Sequence, residues 1–235
     1  LNGKNVVVMG GTSGSGLATA KAAQEAGANV WCASRTQQNI EAASTALSNA
    51  QFRKLDTHDV AGLEALFAEV GQVDHIVAAA TGANRTTRPF MEQTEEQFSE
   101  AFNKFWGYTR VVRAGVPHLA EDGSVTLVSG IPARKCNPNM SSISCVGNAV
   151  EGLTRALAIE LAPKRVNVVA PGIIDTGMFA GLGDNKQAAF SQMSQNIPLG
   201  RVGQAKEVAA AIMLCITNGF MTGATVDVDG GALLP

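Results

Sequence analysis

Val6-Val7-Val8-Met9-Gly10-Gly11-Thr12-Ser13-Gly14-Ser15-Gly16-Leu17 decides the fold. Four apolar residues between Asn5 and Gly10 read as a strand buried on both faces. Glycines and hydroxyl residues follow. Small and apolar residues then recur at helical spacing through Leu17, Ala20 and Ala23, and Gly27 supplies a helix stop. A strand, a glycine-rich turn and a helix start gather free amide N–H groups and the positive end of a helix dipole at one point. That point suits a pyrophosphate.

Working outward, the apolar runs predict further strands over 29–33, 52–55, 75–79, 124–128, 166–169 and 225–228. Helices are expected over 40–50, 60–70, 94–119, 144–161 and 206–216, with Ser141 and Ser142 capping the fifth of the six. Strands alternating with helices imply βαβ crossovers and a parallel sheet covered on both faces. The expected class is α/β: a doubly wound Rossmann fold with a seven-stranded, mostly parallel sheet in one domain spanning 1–235. The stretch from Thr176 to Gln204, rich in Gly, Met, Asn and Gln, reads either as a substrate lobe or lid or as a well-packed excursion.

Composition narrows the function. Lys plus Arg (18) against Asp plus Glu (20) leaves a charge of −2, without the basic excess of a nucleic-acid binder. No apolar run reaches the roughly 20 residues that span a bilayer. Cys32, Cys136, Cys145 and Cys215 are scattered, with no CxxC and no ligand spacing, so neither a metal nor a disulfide is expected. The first residues, Leu1-Asn2-Gly3-Lys4-Asn5, run into a strand without a signal peptide's apolar segment. The expected setting is a reducing one, the cytoplasm. His58, His75 and His118 have no Ser or Cys partner at informative spacing and read as structural; Trp31 and Trp106 read as core or interface aromatics.

The second strand ends in Ser34-Arg35-Thr36. A site for NAD has an acid here to take the ribose 2′-hydroxyl. A guanidinium with two hydroxyls suits a 2′-phosphate instead, through forked, charge-assisted hydrogen bonds. The expected cofactor is therefore NADP(H).

At this point the chain resembles the short-chain dehydrogenase/reductase family over essentially its whole length. Gly10-x-x-x-Gly14-x-Gly16 is similar to the family's glycine motif, with Met9 where Thr is usual. The resemblance places Thr12, Ser13 and Ser15 in the phosphate loop, Asp56 and Thr57 at the adenine, and Ala79 beside the cofactor after the fourth strand. Asn103 falls on the family's helix asparagine. Glu151-Gly152-Leu153-Thr154-Arg155-Ala156-Leu157-Ala158 looks like its long interface helix. Pro171-Gly172-Ile173-Ile174-Asp175-Thr176 matches the segment holding the nicotinamide carboxamide, through Pro171, Gly172, Ile174 and Thr176. Pro198-Leu199-Gly200-Arg201 and the stretch from Thr222 to Gly231 resemble its C-terminal markers. By this resemblance the partners are a small-molecule substrate and copies of the same chain, a homodimer or homotetramer built on the long helices.

The catalytic positions depart from that pattern. Anchored on Glu151-Gly152-Leu153, the family's Tyr falls on Ile143 and its Lys on Gly147. The single tyrosine, Tyr108, lies in the preceding helix, about one turn beyond Asn103, and reads more as interface packing than as a site residue. The serine position falls on Gly130, beside Ser129, and Ala78-Ala79-Ala80-Thr81 replaces the family's Asn-Asn-Ala-Gly. Candidate catalytic residues are Asn103, Ser129, Arg134 and Asp175. Ser129 could bond a carbonyl, Arg134 or Lys135 an anionic or carbonyl oxygen, and Asp175 a cationic substrate; turn or solvated-loop roles remain the bland alternatives. A positioned acid is worth about 10²–10⁴-fold, and Ile143 has no proton to give. Three readings stay open. The first is an NADPH-dependent reductase with a different acid, or with an electrophile that needs none, such as an iminium or an enone. The second is a binding or regulatory protein. The third is a non-redox cyclase or isomerase. The Ser129-Gly130-x-x-x-Arg134 loop is similar to atypical family members of natural-product pathways, a few of which combine reduction with cyclisation.

Overall fold

The structure is a computed structural model and describes residues 1–81 and 86–235. Seven strands form the main sheet: β1 (Asn5–Met9), β2 (Asn29–Ser34), β3 (Gln51–Lys54), β4 (Val73–Ala78), β5 (Leu119–Val128), β6 (Arg165–Pro171) and β9 (Thr225–Val228). Their order is β3-β2-β1-β4-β5-β6-β9, and every neighbouring pair is parallel. The expected sheet is thus observed. Two short strands, β7 (Ile174–Asp175) and β8 (Gly203–Gln204), pair separately.

Burial on both faces explains the apolar strands. In β1, Val7 and Met9 join one core with Leu63, Phe67, Tyr108, Val111, Leu127 and Val150; Val6 and Val8 join the other with Ala20, Ala23, Val30, Val208 and Ile212. The first core lies under α3 (Val60–Val70), α4 (Glu95–Gly115) and α5 (Ser141–Glu160). The second lies under α1 (Gly14–Glu25) and α7 (Ala205–Thr217). α2 (Gln37–Ser44) completes the helices against the β2–β3 edge.

Local chemistry sets the helix ends. Thr94 and Gln97 form a reciprocal capping box at the start of α4, where Glu95 and Glu96 complement the helix dipole. The sequence predicts one helix as far as Leu119. Instead α4 stops at Gly115, a 3₁₀ turn carrying Pro117 follows, and β5 begins at Leu119. Proline has no N–H to continue the helix. α5 starts three residues before the expected Ser144, and its N-cap is Met140 with no side-chain cap. The expected Ser141 and Ser142 caps are therefore corrected: both lie inside the helix. The Ser141 hydroxyl accepts from the Gln93 amide at 3.0 Å, and the Ser142 hydroxyl is buried with no hydrogen-bond partner among the described residues.

The stretch after β7 folds as a 3₁₀ segment (Gly177–Asn185), α6 (Lys186–Met193) and another 3₁₀ turn (Ser194–Asn196). From 177 to 200, Phe190 and Ile197 alone are buried. Phe190 packs edge-on to Phe179, and Lys186 pairs with Asp175 at 2.7 Å. This is a thinly packed excursion held by the Lys186–Asp175 ion pair, by Ile197 packed with Ile131 and Ala232, and by the Leu199 N–H bond to the Gly230 carbonyl.

His75, inside β4, shares a 2.9 Å hydrogen bond with the hydroxyl of Ser124. Burial pushes its imidazole down to about 4, more strongly than Asp74 draws it up. The unfolded chain then binds the extra proton first, so this group's contribution is complete above pH ~6.5 and is lost as pH falls toward ~4. The full contribution is about 3 kcal/mol. Urea midpoints measured from pH 7 to pH 4 should fall more steeply for the native chain than for His75→Gln. Equal slopes would contradict the assignment.

Candidate functional site

All seven strands point the same way, so their carboxyl ends meet on one edge. Backbone bonds fix the residues there: Gly10 N–H donates to Ala33, Ala79 N–H to Met9, Ser129 N–H to Val169 and Gly172 N–H to Val228, each at 2.8 or 2.9 Å. In open α/β sheets, ligands bind outside this edge, where strand order reverses. Here that point lies between β1 and β4.

The glycine turn is shaped for close approach. Gly10 and Gly14 have positive φ (87° and 50°), which glycine adopts without strain. A Cβ at Gly16 would collide with the Gly10 carbonyl, and one at Gly10 would lie 2.7 Å from the Ala80 nitrogen. The first α1 bond runs from Leu17 N–H to Ser13 C=O, so the amides before it have no intrahelical partner. Ser13 occupies the N-cap without using its hydroxyl as a cap, and Thr12 is buried beside it. Thr176 touches the turn from the far side, with Cγ2 3.3 Å from where a Gly14 Cβ would stand. Pro171 and Gly172 lie at the carboxyl end of β6, and Ile174 is buried in the second core. Beneath the turn, burial pushes the Cys32 thiol up to about 12, which makes it inert packing.

At the end of β2, Ser34 is half-buried, and Arg35 and Thr36 are exposed. The Arg35 guanidinium makes no hydrogen bond or ion pair with any described residue, so it is available to an anion. The Asp56 carboxylate accepts from the His58 backbone at 2.9 Å, and Thr57 lies half-buried against Gly107. These residues fit a phosphorylated dinucleotide laid across the edge.

The other half of the site is rebuilt. Ile143 and Gly147 lie one turn apart on α5, and neither carries a polar side chain. A Cβ at Gly147 would meet Ala133 Cβ at 2.8 Å and its backbone nitrogen at 3.3 Å. The short turn Ile131–Ala133 thus fills the room a lysine there would need. It is clamped: the Asn148 amide donates to the Ala133 carbonyl, and the Lys135 ammonium donates to the Ala232 carbonyl. Tyr108 is no substitute acid. It is buried, its hydroxyl donates to the Val128 carbonyl, and burial raises its pKa strongly.

The structure gives the candidate residues specific partners. Ser129 donates its hydroxyl to Glu151 Oε1 at 3.1 Å, and Arg134 Nε lies 3.4 Å from the same oxygen. The Arg134 guanidinium also grips Asp227 with both terminal nitrogens, and Asp227 is the main cause of its raised pKa. Asp175 pairs with Lys186. Asn103 is exposed; its backbone carbonyl accepts from His58 Nε2 at 3.0 Å, and its side chain bonds no described residue. Ser129, Arg134 and Glu151 come together, while Asn103 and Asp175 each engage other neighbours.

Two residues escape the sequence reading. Glu151 is 4% exposed on α5, where Ser142, Ser144, Gly147 and Thr154 are buried beside Val146, Val150 and Ala158, so no apolar stripe marks it out. Lys104 donates to the Ser129 carbonyl at 3.1 Å. It stands one position after Asn103 and four before Tyr108, the spacing that puts two residues on one helix face. Among the described residues there is no cluster of His, Cys, Asp and Glu that could hold a metal, and no helix long and apolar enough to cross a membrane.

Comparison with known proteins agrees with this geometry. The family model described as enoyl-(acyl carrier protein) reductase matches residues 10–232. L-xylulose reductase of Mesocricetus auratus is 30% identical, over 100% of this chain and 98% of its own length. The short-chain dehydrogenase/reductase malC of Malbranchea aurantiaca is 30% identical, over 100% of this chain and 96% of its own. The solved structure of MalC reductase/Diels-Alderase superposes with a TM-score of 0.91 at 30% identity, covering 100% of this chain and 98% of that one. An NADPH-bound short chain oxidoreductase of Pseudomonas aeruginosa PAO1, described as containing an atypical catalytic center, gives a TM-score of 0.90 at 29% identity, with 98% of each chain covered. With its parallel sheet, glycine turn and end-to-end match, the chain belongs to the short-chain dehydrogenase/reductase family.

Proposed function

We propose that this chain is an NADPH-dependent oxidoreductase of atypical mechanism, transferring hydride to an iminium- or enone-type small molecule. One observation carries the reading: the glycine turn keeps a geometry that suits a dinucleotide, while the positions of the proton-donating pair on α5 hold Ile143 and Gly147, with the space beside Gly147 closed by Ala133. A bound nicotinamide cofactor would supply the hydride. Amides of the Gly10–Gly16 turn would hold its pyrophosphate, Ser34, Arg35 and Thr36 its 2′-phosphate, and Asp56 and Thr57 its adenine side. The segment from Pro171 to Thr176 would hold the nicotinamide, with Ala79 beside it. The 176–204 stretch, joined to the edge through Asp175 and Lys186, would cover the substrate. Arg134 and Ser129 set the floor of the site through Glu151. The malC relative, described as a reductase and Diels-Alderase, supports a link to natural-product biosynthesis coupled to cyclisation.

Mixing the protein with NADPH and either an enone or an iminium salt, while following the reduced nicotinamide absorbance, tests the reading. Oxidation that depends on the added acceptor is expected. Product formed without oxidation would turn the assignment to a non-redox cyclase. Tight NADPH binding without turnover would turn it to a regulatory protein.

Replacing Arg35 by Ala removes charge-assisted hydrogen bonds worth about 1.5–3 kcal/mol. NADPH affinity should fall roughly 10–100-fold, with NADH nearly unchanged; equal losses by fluorescence titration would refute the 2′-phosphate assignment.

The two long helices leave apolar side chains in the open, Trp106 on α4 at 51% and Ile159 on α5 at 81% exposed. We propose that they join copies of the chain in the cytoplasm as a dimer or tetramer. Sedimentation velocity should give a mass above the monomer, and Ile159→Glu should lower it. A monomer at all concentrations would overturn this.

A further inference from the structure

Tyr108 and Lys104 lie four residues apart on α4 and so share one helix face. The Lys104 Nζ stands 5.6 Å from the centre of the Tyr108 ring. Tyr108 reaches the carbonyl of Val128, the last residue of β5. Lys104 reaches one residue further, to the carbonyl of Ser129. This follows from direction: α4 runs back against the strands, so its earlier residues lie nearer the carboxyl edge. The next residue is Gly130, where an added Cβ would have ordinary contact with Pro132 at 3.4 Å and lie 3.7 Å from the Pro171 carbonyl. Gly130 therefore packs beside Pro171, the first residue of the segment assigned to the nicotinamide. An ammonium is thus fixed at the floor of the proposed site, on the side from which Tyr and Lys are missing.

We propose that Lys104 is a catalytic residue whose ammonium, steadied on the Ser129 carbonyl, donates a hydrogen bond to the oxygen of a neutral enone as negative charge gathers there. The proposal rests on the hydride-transfer reading and deepens it. It selects between the two electrophiles, because a fixed cation strengthens an acceptor that gains negative charge and repels an iminium. Asp175, the carboxylate that could have welcomed a cation, is already paired with Lys186. Glu151, the buried carboxylate nearest this floor, is engaged by Ser129 and Arg134.

The step balances without a strong acid. Hydride adding to the β-carbon brings its electron pair into the new C–H bond. The C=C and C=O π pairs shift toward oxygen and give an enolate, whose α-carbon then takes a proton from water. The enone is reduced, the dihydronicotinamide is oxidised, and Lys104 keeps its protons.

The test compares the native chain with Lys104→Met and Lys104→Arg. The probes are cyclohex-2-enone and N-methyl-3,4-dihydroisoquinolinium, and NADPH affinity is read by its emission. Lys104→Met should lose about 10²–10³-fold in kcat/KM toward the enone, keep its NADPH affinity, and reduce the iminium at least as fast as the native chain. Lys104→Arg should recover part of the enone activity. An equal effect on both probes, or an unchanged enone rate, overturns the proposal. A second readout needs no turnover. 4-Nitrophenol should bind to the native chain as its yellow phenolate, and to Lys104→Met as the phenol or not at all. The same phenolate signal with both proteins, or none with the native chain, also overturns it. Phenolate binding that depends on Lys104, with neither probe reduced, would uphold the oxygen site and refute the hydride-transfer reading instead.

Discussion

Helix α5 and the turn Ile131–Ala133 meet at Gly147, where the absence of a side chain lets two backbones close to within one methyl group. That contact constrains everything around it. The turn can sit there only because the helix offers it a bare face. Once seated, it carries Arg134 toward Glu151 and Asp227 and Lys135 toward the C-terminal segment. Ser129, at the base of the turn, faces inward to the Glu151 carboxylate. A buried carboxylate is costly unless paired and hydrogen-bonded. Here the hydroxyl and the guanidinium meet that demand together, and Arg134, its charge held by Asp227, remains a cation.

The sheet edge therefore has two halves with different histories of constraint. Around β1 and β2, geometry is governed by backbone: glycines that cannot accept a Cβ, amides at the start of α1 with no intrahelical partner, and a guanidinium that bonds no described residue. Around β5 and α5, side chains that would do acid chemistry are gone, and a packed turn with a polar network stands in their place. In the proposed reading, holding a dinucleotide would depend on the first half and proton delivery on the second.

The first half was legible because its signals are local. Alternate burial of Val6 and Val8 against Val7 and Met9 follows from the strand period, and the glycine turn needs only its own residues. The loss of the α5 pair was equally plain, since it required only reading Ile143 and Gly147. What the sequence hid is angular and tertiary. Neighbouring helix residues point about 100° apart, so the Asn103 side chain is left exposed while Lys104 turns to β5. Nothing local distinguishes a buried Glu151 from a solvated one, because its partners lie on another strand and loop. Ser141 and Ser142 look like caps, but the helix starts before either can act as one. Pro117 signals a break that a continuous apolar pattern concealed.

The seating of Ala133 against Gly147 also bears on redesign. A lysine introduced at position 147 would meet an occupied space, and a tyrosine introduced at 143 would stand beside a floor already organised by Glu151, Arg134 and Asp227. Grafting a Tyr–Lys pair onto α5 therefore requires displacing the turn, freeing the arginine and neutralising a stranded acid in concert, because either substitution alone loses packing without completing the pair.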